Sequence, residues 1–299
     1  MQEKEFYYPG FKRLSKIAEE ALAIEKEDAE SAGSIGFIQR AFTLCSIPHK
    51  EIKNLKADED YLRQNGHWQL RLIGSRDYGL PFGQIPRLIE SLVTTEVVKT
   101  QSKKIYLGDS LTDFMDRLGI VASGGKRGTI VRVVDQLQRM FHTTTYLEYK
   151  NNDNNKINLS LRMSDSMLLL LNPKSPSQSN LWGAEISLTQ SYYHGIMDAP
   201  VPIDMRMVEA FKGSPMELDI YFWLTHRLFT LKKPTVIPYE LLQMQFGSDY
   251  KRKRAFKEKF LKSLQNVKYA WHGLNVSDAK YGLKLDPSPL LITPKKKKR

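Results

Sequence analysis

One order of elements is written into this chain twice, and that repetition constrains the fold more than any other feature. Trp68-Gln69-Leu70-Arg71-Leu72-Ile73 alternates like a strand, and a Gly- and Pro-bearing loop follows from Gly74 to Gln84. Pro86 opens a helix to about Gln101, with Leu88, Ile89, Leu92, Val93 and Val97 on one face. Lys103–Leu107 reads as a short strand. Ser110 caps a helix to Leu118, and Gly119 ends it. After the turn Ser123-Gly124-Gly125 comes a basic helix over about Lys126–Phe141. Two alternating stretches follow, Thr144–Tyr149 and Ile157–Leu171, joined by the polar tip Asn151–Asn155.

The same order returns downstream. A helix is predicted over Ser214–Leu231, a strand over Pro234–Ile237, and a helix over Tyr239–Phe246 stopped by Gly247 as Gly119 stops its counterpart. A basic helix follows over Lys251–Asn266, then strands over Val267–Trp271 and Lys280–Leu285. Gly119 and Gly247 are 128 residues apart, while Val133 and Phe260, Leu137 and Leu264, and Met140 and Val267 are each 127 apart. Near-constant spacing points to a structural duplication. Helix, strand, helix, basic helix, hairpin is the order of a winged helix. The predicted fold is therefore α+β: two tandem winged-helix domains, over 68–180 and 200–292, behind an N-terminal helical extension. Their joint falls in Pro173–Asn180 and Ala199–Pro202. In the extension, a helix over 12–31 carries Leu14, Ile17, Ala18, Ala21 and Leu22 and stops at Ala32-Gly33-Ser34. A shorter helix is predicted over 35–45.

Charge then bears on function. The chain of 299 residues carries a net +12. Residues 1–60 hold 9 Lys+Arg against 12 Asp+Glu, a balance of −3, so the remainder carries +15. A polyanionic partner would face the body of the chain, not its acidic start. The first basic helix turns Ile130, Val133, Val134 and Leu137 inward and leaves Lys126, Arg127, Arg132, Gln136 and Arg139 for a DNA groove. Arg reads guanine and Gln reads adenine in bidentate fashion, while Lys126, Arg127 and Thr129 at the helix start suit phosphates. From Asp249 to Lys268 there are 8 Lys+Arg and 2 acids. There Lys251, Arg252, Lys253, Arg254 and Lys257 are the predicted DNA contacts, on a helix docked by Phe256, Phe260, Leu261 and Leu264.

Other function classes find little support. Between Gly119 and Gly125-Lys126 lie five residues, with Arg127 after them, where a P-loop needs four and a Ser/Thr. The six histidines are scattered without metal-ligand spacing, so no metal, cofactor or catalytic residue is predicted. Tyr192-Tyr193 evokes a nicking tyrosine, but packing in a helix after a strand over 184–188 is the better reading. The single cysteine, Cys45, sits in an apolar run and reads as a buried hydrophobe. No stretch approaches a membrane span, and a cytoplasmic protein is expected. The basic tail of residues 293–299 suits non-specific phosphate contact.

Several segments resemble a known family. These are Thr94-Thr95-Glu96-Val97-Val98-Lys99-Thr100-Gln101-Ser102, Leu107-Gly108, and Leu111-Thr112-Asp113-Phe114-Met115-Asp116-Arg117-Leu118-Gly119. To them are added Ser123-Gly124-Gly125-Lys126-Arg127-Gly128 and Ser214-Pro215-Met216-Glu217-Leu218-Asp219-Ile220-Tyr221-Phe222-Trp223-Leu224. Together they resemble the plasmid-encoded RepA replication proteins over roughly 68–292. The resemblance implies binding of double-stranded DNA at repeated origin sites (iterons), local duplex opening, and recruitment of the host initiator and replicative helicase. It also implies a theta-type mode without nuclease or nucleotide hydrolysis, and homodimers that repress where monomers initiate. A winged-helix transcriptional repressor or plasmid-partition protein without initiator activity is the competing reading. Residues 1–60 lie outside the resemblance.

Overall fold

The computed structural model describes residues 9–52, 60–150, 156–167, 185–247, 250 and 252–293. The chain enters on α1 (Pro9–Lys26), then β1 (Ile35–Gln39), α2 (Arg40–Leu44), β2 (Tyr61–Asn65) and β3 (Trp68–Ile73). The first winged helix begins at α3 (Gln84–Thr100), followed by β4 (Lys104–Tyr106), α4 (Leu111–Arg117), α5 (Thr129–Phe141), β5 (Thr144–Lys150), β6 (Lys156–Arg162), β7 (Ser164–Met167) and β8 (Glu185–Leu188). Helix α6 (Gln190–Met197), β9 (Pro200–Asp204) and α7 (Met205–Ala210) lead to the second: α8 (Pro215–Thr230), β10 (Thr235–Ile237), α9 (Tyr239–Phe246), α10 (Lys253–Ala270), β11 (Val276–Ala279) and β12 (Gly282–Leu285).

Two three-stranded antiparallel sheets mirror one another, ordered β4-β8-β7 and β10-β12-β11. In each, the short strand after the first helix pairs with the last strand of the unit. The two winged helices are thus built alike, and the 127-residue spacing extends to their first helices. Ile89, Glu90, Val93 and Val97 of α3 are buried at the places of Met216, Glu217, Ile220 and Leu224 of α8.

Local chemistry sets the helix starts. Ser110 Oγ accepts from Asp113 N at 3.0 Å, and Asp113 Oδ2 accepts from Asp109 N at 3.0 Å, so both orphan amides are satisfied. Ser214 accepts from Glu217 N with Pro215 in the first turn, and Thr189 accepts from Tyr192 N. Gly119 ends α4 at φ +61°, and a side chain there would run into Lys212. Gly247 ends α9 at φ −108°; it is needed instead for room, because a Cβ would lie 2.7 Å from the Phe256 ring.

Several expectations are corrected. Residues 35–45 are not one helix: β1 precedes the short α2, because Ile35–Gln39 pairs antiparallel with β9, Pro200–Asp204, far downstream in the chain. The hairpin after α5 is not the wing of the first domain. Strands β5 and β6 join β2 and β3 in a separate four-stranded sheet ordered β2-β3-β5-β6, and the wing strands are β7 and β8. The tip Asn151–Asn155 lies outside the described residues. In the second domain Val267–Trp271 is not a strand. Helix α10 continues through Ala270, because Val267 and Ala270 keep the buried stripe of Phe260 and Leu264 in helical phase. The wing there is β11–β12.

Of the predicted joint, Pro173–Asn180 lies outside the described residues. The other half, Ala199–Pro202, runs into β9 and is held by β1. The two first helices also meet directly. Arg87 of α3 reaches Asp219 of α8 with Nε–Oδ1 and Nη2–Oδ2 distances of 2.6 Å each, and its other donors take the carbonyls of Ile47 and Gly83. His49 Nε2 lies 2.7 Å from Asp219 Oδ2. Burial opposes ionisation of Asp219, but the Arg87 charge and the His49 hydrogen bond outweigh it and hold the carboxyl below its ordinary value.

Candidate nucleic-acid interface

The site is built from the two basic helices, α5 and α10. Helix α10 docks through Phe256, Phe260, Leu264 and Val267, all buried, in an aromatic cluster with Phe246 and Tyr250. Both of its flanks are held. On the wing side Lys257 Nζ sits 2.9 Å from Asp278 Oδ2 and 4.4 Å from the Tyr239 ring centre, and Lys268 Nζ donates to Val276 O at 3.0 Å. On the other side Asn266 Nδ2 donates to Glu217 Oε1 at 2.8 Å, beside α1.

What remains is the outward face. Arg254, Glu258, Lys262, Gln265 and Tyr269 are all exposed, and successive steps of 4, 4, 3 and 4 place them on one stripe. Arg254 pairs with Glu258 at 2.9 Å in solvent, a weak contact. Arg252 is exposed at the helix start, and Lys253 leans to Glu240 of α9 at 3.3 Å. Lys251 lies outside the described residues. Lys257, named from sequence, is committed to the wing rather than the stripe. Lys262, Gln265 and Tyr269 stand on the stripe instead, where the phase set by Phe256, Phe260 and Leu264 puts them opposite the core.

Helix α5 differs. Lys126 and Arg127 are exposed in the turn before it, and Arg132 is exposed in its first half. Thr129 does not offer its hydroxyl to a phosphate. Its Oγ1 accepts from Ser123 N at 2.8 Å and donates to Val121 O at 2.7 Å, while Ser123 Oγ accepts from Thr129 N. That reciprocal lock shapes the turn, and Gly128 completes it, since a Cβ there would stand 2.2 Å from Ser123 O.

Gln136 and Arg139 are corrections of larger consequence. Gln136 is 4% exposed; its Oε1 accepts from Phe82 N at 2.8 Å and its Nε2 donates to Asp135 at 2.9 Å. Arg139 pairs with Asp135 and with Glu51 at 3.0 Å, donates to Leu80 O, and lies over the Phe82 ring at 5.1 Å. His142 stacks on Tyr78 with ring centres 4.3 Å apart. The loop between β3 and α3 therefore covers the second half of α5, and both side chains hold that loop instead of reading bases. Val133, Gln136 and Met140 are spaced i, i+3, i+7, so the buried flank of Gln136 was visible in the helix phase.

Other candidate chemistry resolves into packing. Tyr192 is buried in α6, and its hydroxyl donates to Glu90 Oε2 at 2.5 Å. Burial pushes the Glu90 carboxyl up to about 7 and the Tyr192 phenol well above its ordinary value. Cys45 is buried, and burial pushes its thiol up to about 12. Among the described residues no group of three or more His, Cys, Asp or Glu is placed to hold a metal ion. Among them, too, no helix is long and apolar enough to cross a membrane.

Residues 80–238 match the family of plasmid-encoded RepA proteins. The chain belongs to that family. RepA-family proteins are DNA-binding replication initiators, and the matched residues make this chain one of them. Two solved structures share its architecture. A crystal structure of selenomethionine derivatives of domains 2 and 3 of RctB aligns with a TM-score of 0.54 at 12% identity, over 84% of this chain and 98% of that one. A second crystal structure of RctB domains 2 and 3 aligns with a TM-score of 0.50 at 12% identity, over 83% and 96% of the two chains. At that identity the likeness is one of fold. No curated protein sequence matches the chain.

Proposed function

We propose that this RepA-family protein binds double-stranded DNA at repeated sites of a plasmid origin, opens the duplex beside them, and recruits the host initiator and replicative helicase. The observation that carries the reading is the outward stripe of α10. Five exposed residues, Arg254, Glu258, Lys262, Gln265 and Tyr269, lie in one line on a helix whose flanks are held through Lys257, Lys268 and Asn266. A helix presented that way fits the major groove, with Lys262 and Gln265 placed to meet base edges. Arg252, Lys253 and the preceding Lys251 flank its start and suit phosphates, as do Lys126, Arg127 and Arg132 at the open half of α5. A homodimer that represses its own gene belongs to the same reading.

The test is a footprint on DNA flanking the protein's own gene, followed by plasmid rescue. Protection of repeated sequences, lost in Lys262→Ala/Gln265→Ala, is expected. An origin fragment carrying those repeats is expected to replicate when the chain is supplied. Protection without replication would favour a winged-helix repressor or partition protein over an initiator.

A further inference from the structure

Residues 9–44 are the part of the chain that the DNA reading leaves unused, and the structure ties them to the connection between the two winged helices. We infer that α1 is a brace that acts beside the buried Arg87–Asp219 contact to fix the angle between the two recognition helices, and so the spacing at which they contact DNA. The DNA half of this statement rests on the function proposed above; the brace itself does not.

Helix α1 buries Ile17 completely and holds on through its cations, although its segment is acidic overall. Arg13 pairs with Glu217, and Lys16 pairs with Glu209. At the far end Arg206 Nη1 donates to the carbonyls of Ala23 and Glu27 at 3.0 Å each, capping α1, while the same guanidinium is fixed by Asp204. Every one of these partners lies in residues 204–217, which run from the end of β9 through α7 into the first turn of α8. β1 adds to the grip by pairing with β9, and Met205 N donates to Ser34 O at 2.9 Å.

That stretch is in turn bonded to the first domain at α3 and α4 and to the second at α10. Lys212 Nζ bonds Glu209 and donates to Gly119 O at 3.0 Å, at the C-terminal end of α4, the helix before α5. Gly213 N donates to Gln84 Oε1 at the start of α3. Glu217 accepts from Asn266 of α10. So Lys16–Glu209–Lys212–Gly119 runs from α1 toward the first recognition helix, and Arg13–Glu217–Asn266 runs to the second. Burial alone would raise the Glu209 carboxyl, but hydrogen bonds from Lys16 and Lys212 hold it below its ordinary value, so it stays ionised for both partners. A flexible linker would let each domain find its own contact; a braced one presents both at fixed phase on the duplex.

The experiment uses the full chain with nitroxide labels on Lys103→Cys, just before β4, and Lys280→Cys, on the second wing. Both positions are exposed, and Cys45 is buried and left in place. Pulsed electron-spin distances are measured with and without Arg13→Gln/Lys16→Gln. The expected result is a narrow distribution that becomes at least about twofold broader in the double variant while far-ultraviolet dichroism is retained. An unchanged width overturns the brace. If the double variant does not fold, Lys16→Gln alone, at a site 44% exposed, is measured in the same way. In a second arm, about 5 bp (half a helical turn) is inserted between the two protected stretches of the footprint. The unmutated chain should lose at least about 10-fold in affinity and the variant less than about 3-fold; equal losses overturn the spacing role. Absence of any DNA binding would sink the functional reading, and the spin-label arm would still decide the brace.

Discussion

The two recognition helices occupy the same place in the same framework and are used differently. In α10 the side chains opposite the core are exposed along four turns. In α5 the exposed stretch ends after Arg132, because Gln136 and Arg139 are drawn into holding the loop over residues 74–83. The apolar stripes that fold each unit are alike, and the outer faces differ. The first domain gained a second sheet, β2-β3-β5-β6, whose edge strand β2 packs on α9 of the second domain. It is therefore the integrating unit, and the second domain carries the more open basic helix. On the proposed function, a helix that reads with its first turns needs only the open half of α5, and the two domains take unequal shares of contact.

The largest effect would come from the point where the two units meet. Arg87 and Asp219 are each 4% exposed, and removing one leaves the other's charge buried. Arg87→Ala should cost about 3–5 kcal/mol in urea unfolding. A loss below about 1 kcal/mol would show that the two domains do not depend on this contact. The same geometry bears on cutting the chain between residues 180 and 200. Each fragment would carry half of a buried ion pair, so fragments are a poor way to measure what each domain contributes.

A matched pair of carboxyls sharpens the comparison further. Glu90 and Glu217 hold equivalent places, 127 residues apart. Burial raises both, but Glu217 has Asn266 and Arg13 beside it, whereas Glu90 faces the hydroxyls of Tyr192 and Thr94. With a folded value of about 7 against an ordinary 4.5, Glu90 binds its proton more tightly in the folded state. Its contribution is fully present below pH about 4.5 and is lost as pH rises through about 7. Glu90→Gln keeps the acceptor for Tyr192 and removes the titration. The variant should gain on the parent as pH rises from 5 to 8, by at most about 3 kcal/mol. Parallel stability curves over that range would contradict a neutral Glu90.

Much of the fold was legible because its signals are local. The caps at Ser110 and Ser214, the stop at Gly119 and the apolar phases of α3, α5, α8 and α10 are all set within one or two helical turns. Strand pairing is not local, and there the reading failed. β5 and β6 follow α5 directly, so the rule that neighbours in sequence pair as a unit made them the wing, yet β3 claimed β5 from 70 residues upstream. β1 could not be seen as a strand without β9. The site was legible in its location and only partly in its residues. Arg132 and Arg252–Arg254 are exposed as expected, while Thr129, Gln136 and Arg139 were assigned by residue type, and only their partners across the fold show what they hold.

The division between the two helices can be broken by one pair of mutants. Gln136 satisfies the amide of Phe82 from a buried position, so Gln136→Ala leaves a buried donor unpaired and should cost about 1–3 kcal/mol of stability. Its relative affinity for specific and random DNA should not change, because the side chain does not reach solvent. Lys262 is exposed on the outward stripe, so Lys262→Ala should leave stability within about 0.5 kcal/mol. On the specific site it should lose roughly 10-fold, in the range of a single base contact. Competition titrations against both DNAs at one salt concentration, beside urea curves of each variant, give all four numbers. If Gln136→Ala lowers affinity only for the specific site and Lys262→Ala does nothing, α5 is the main reader and the comparison is inverted. If both lose equally on random DNA, Lys262 holds a phosphate, and the reading falls to Gln265 and Tyr269 further along the same stripe.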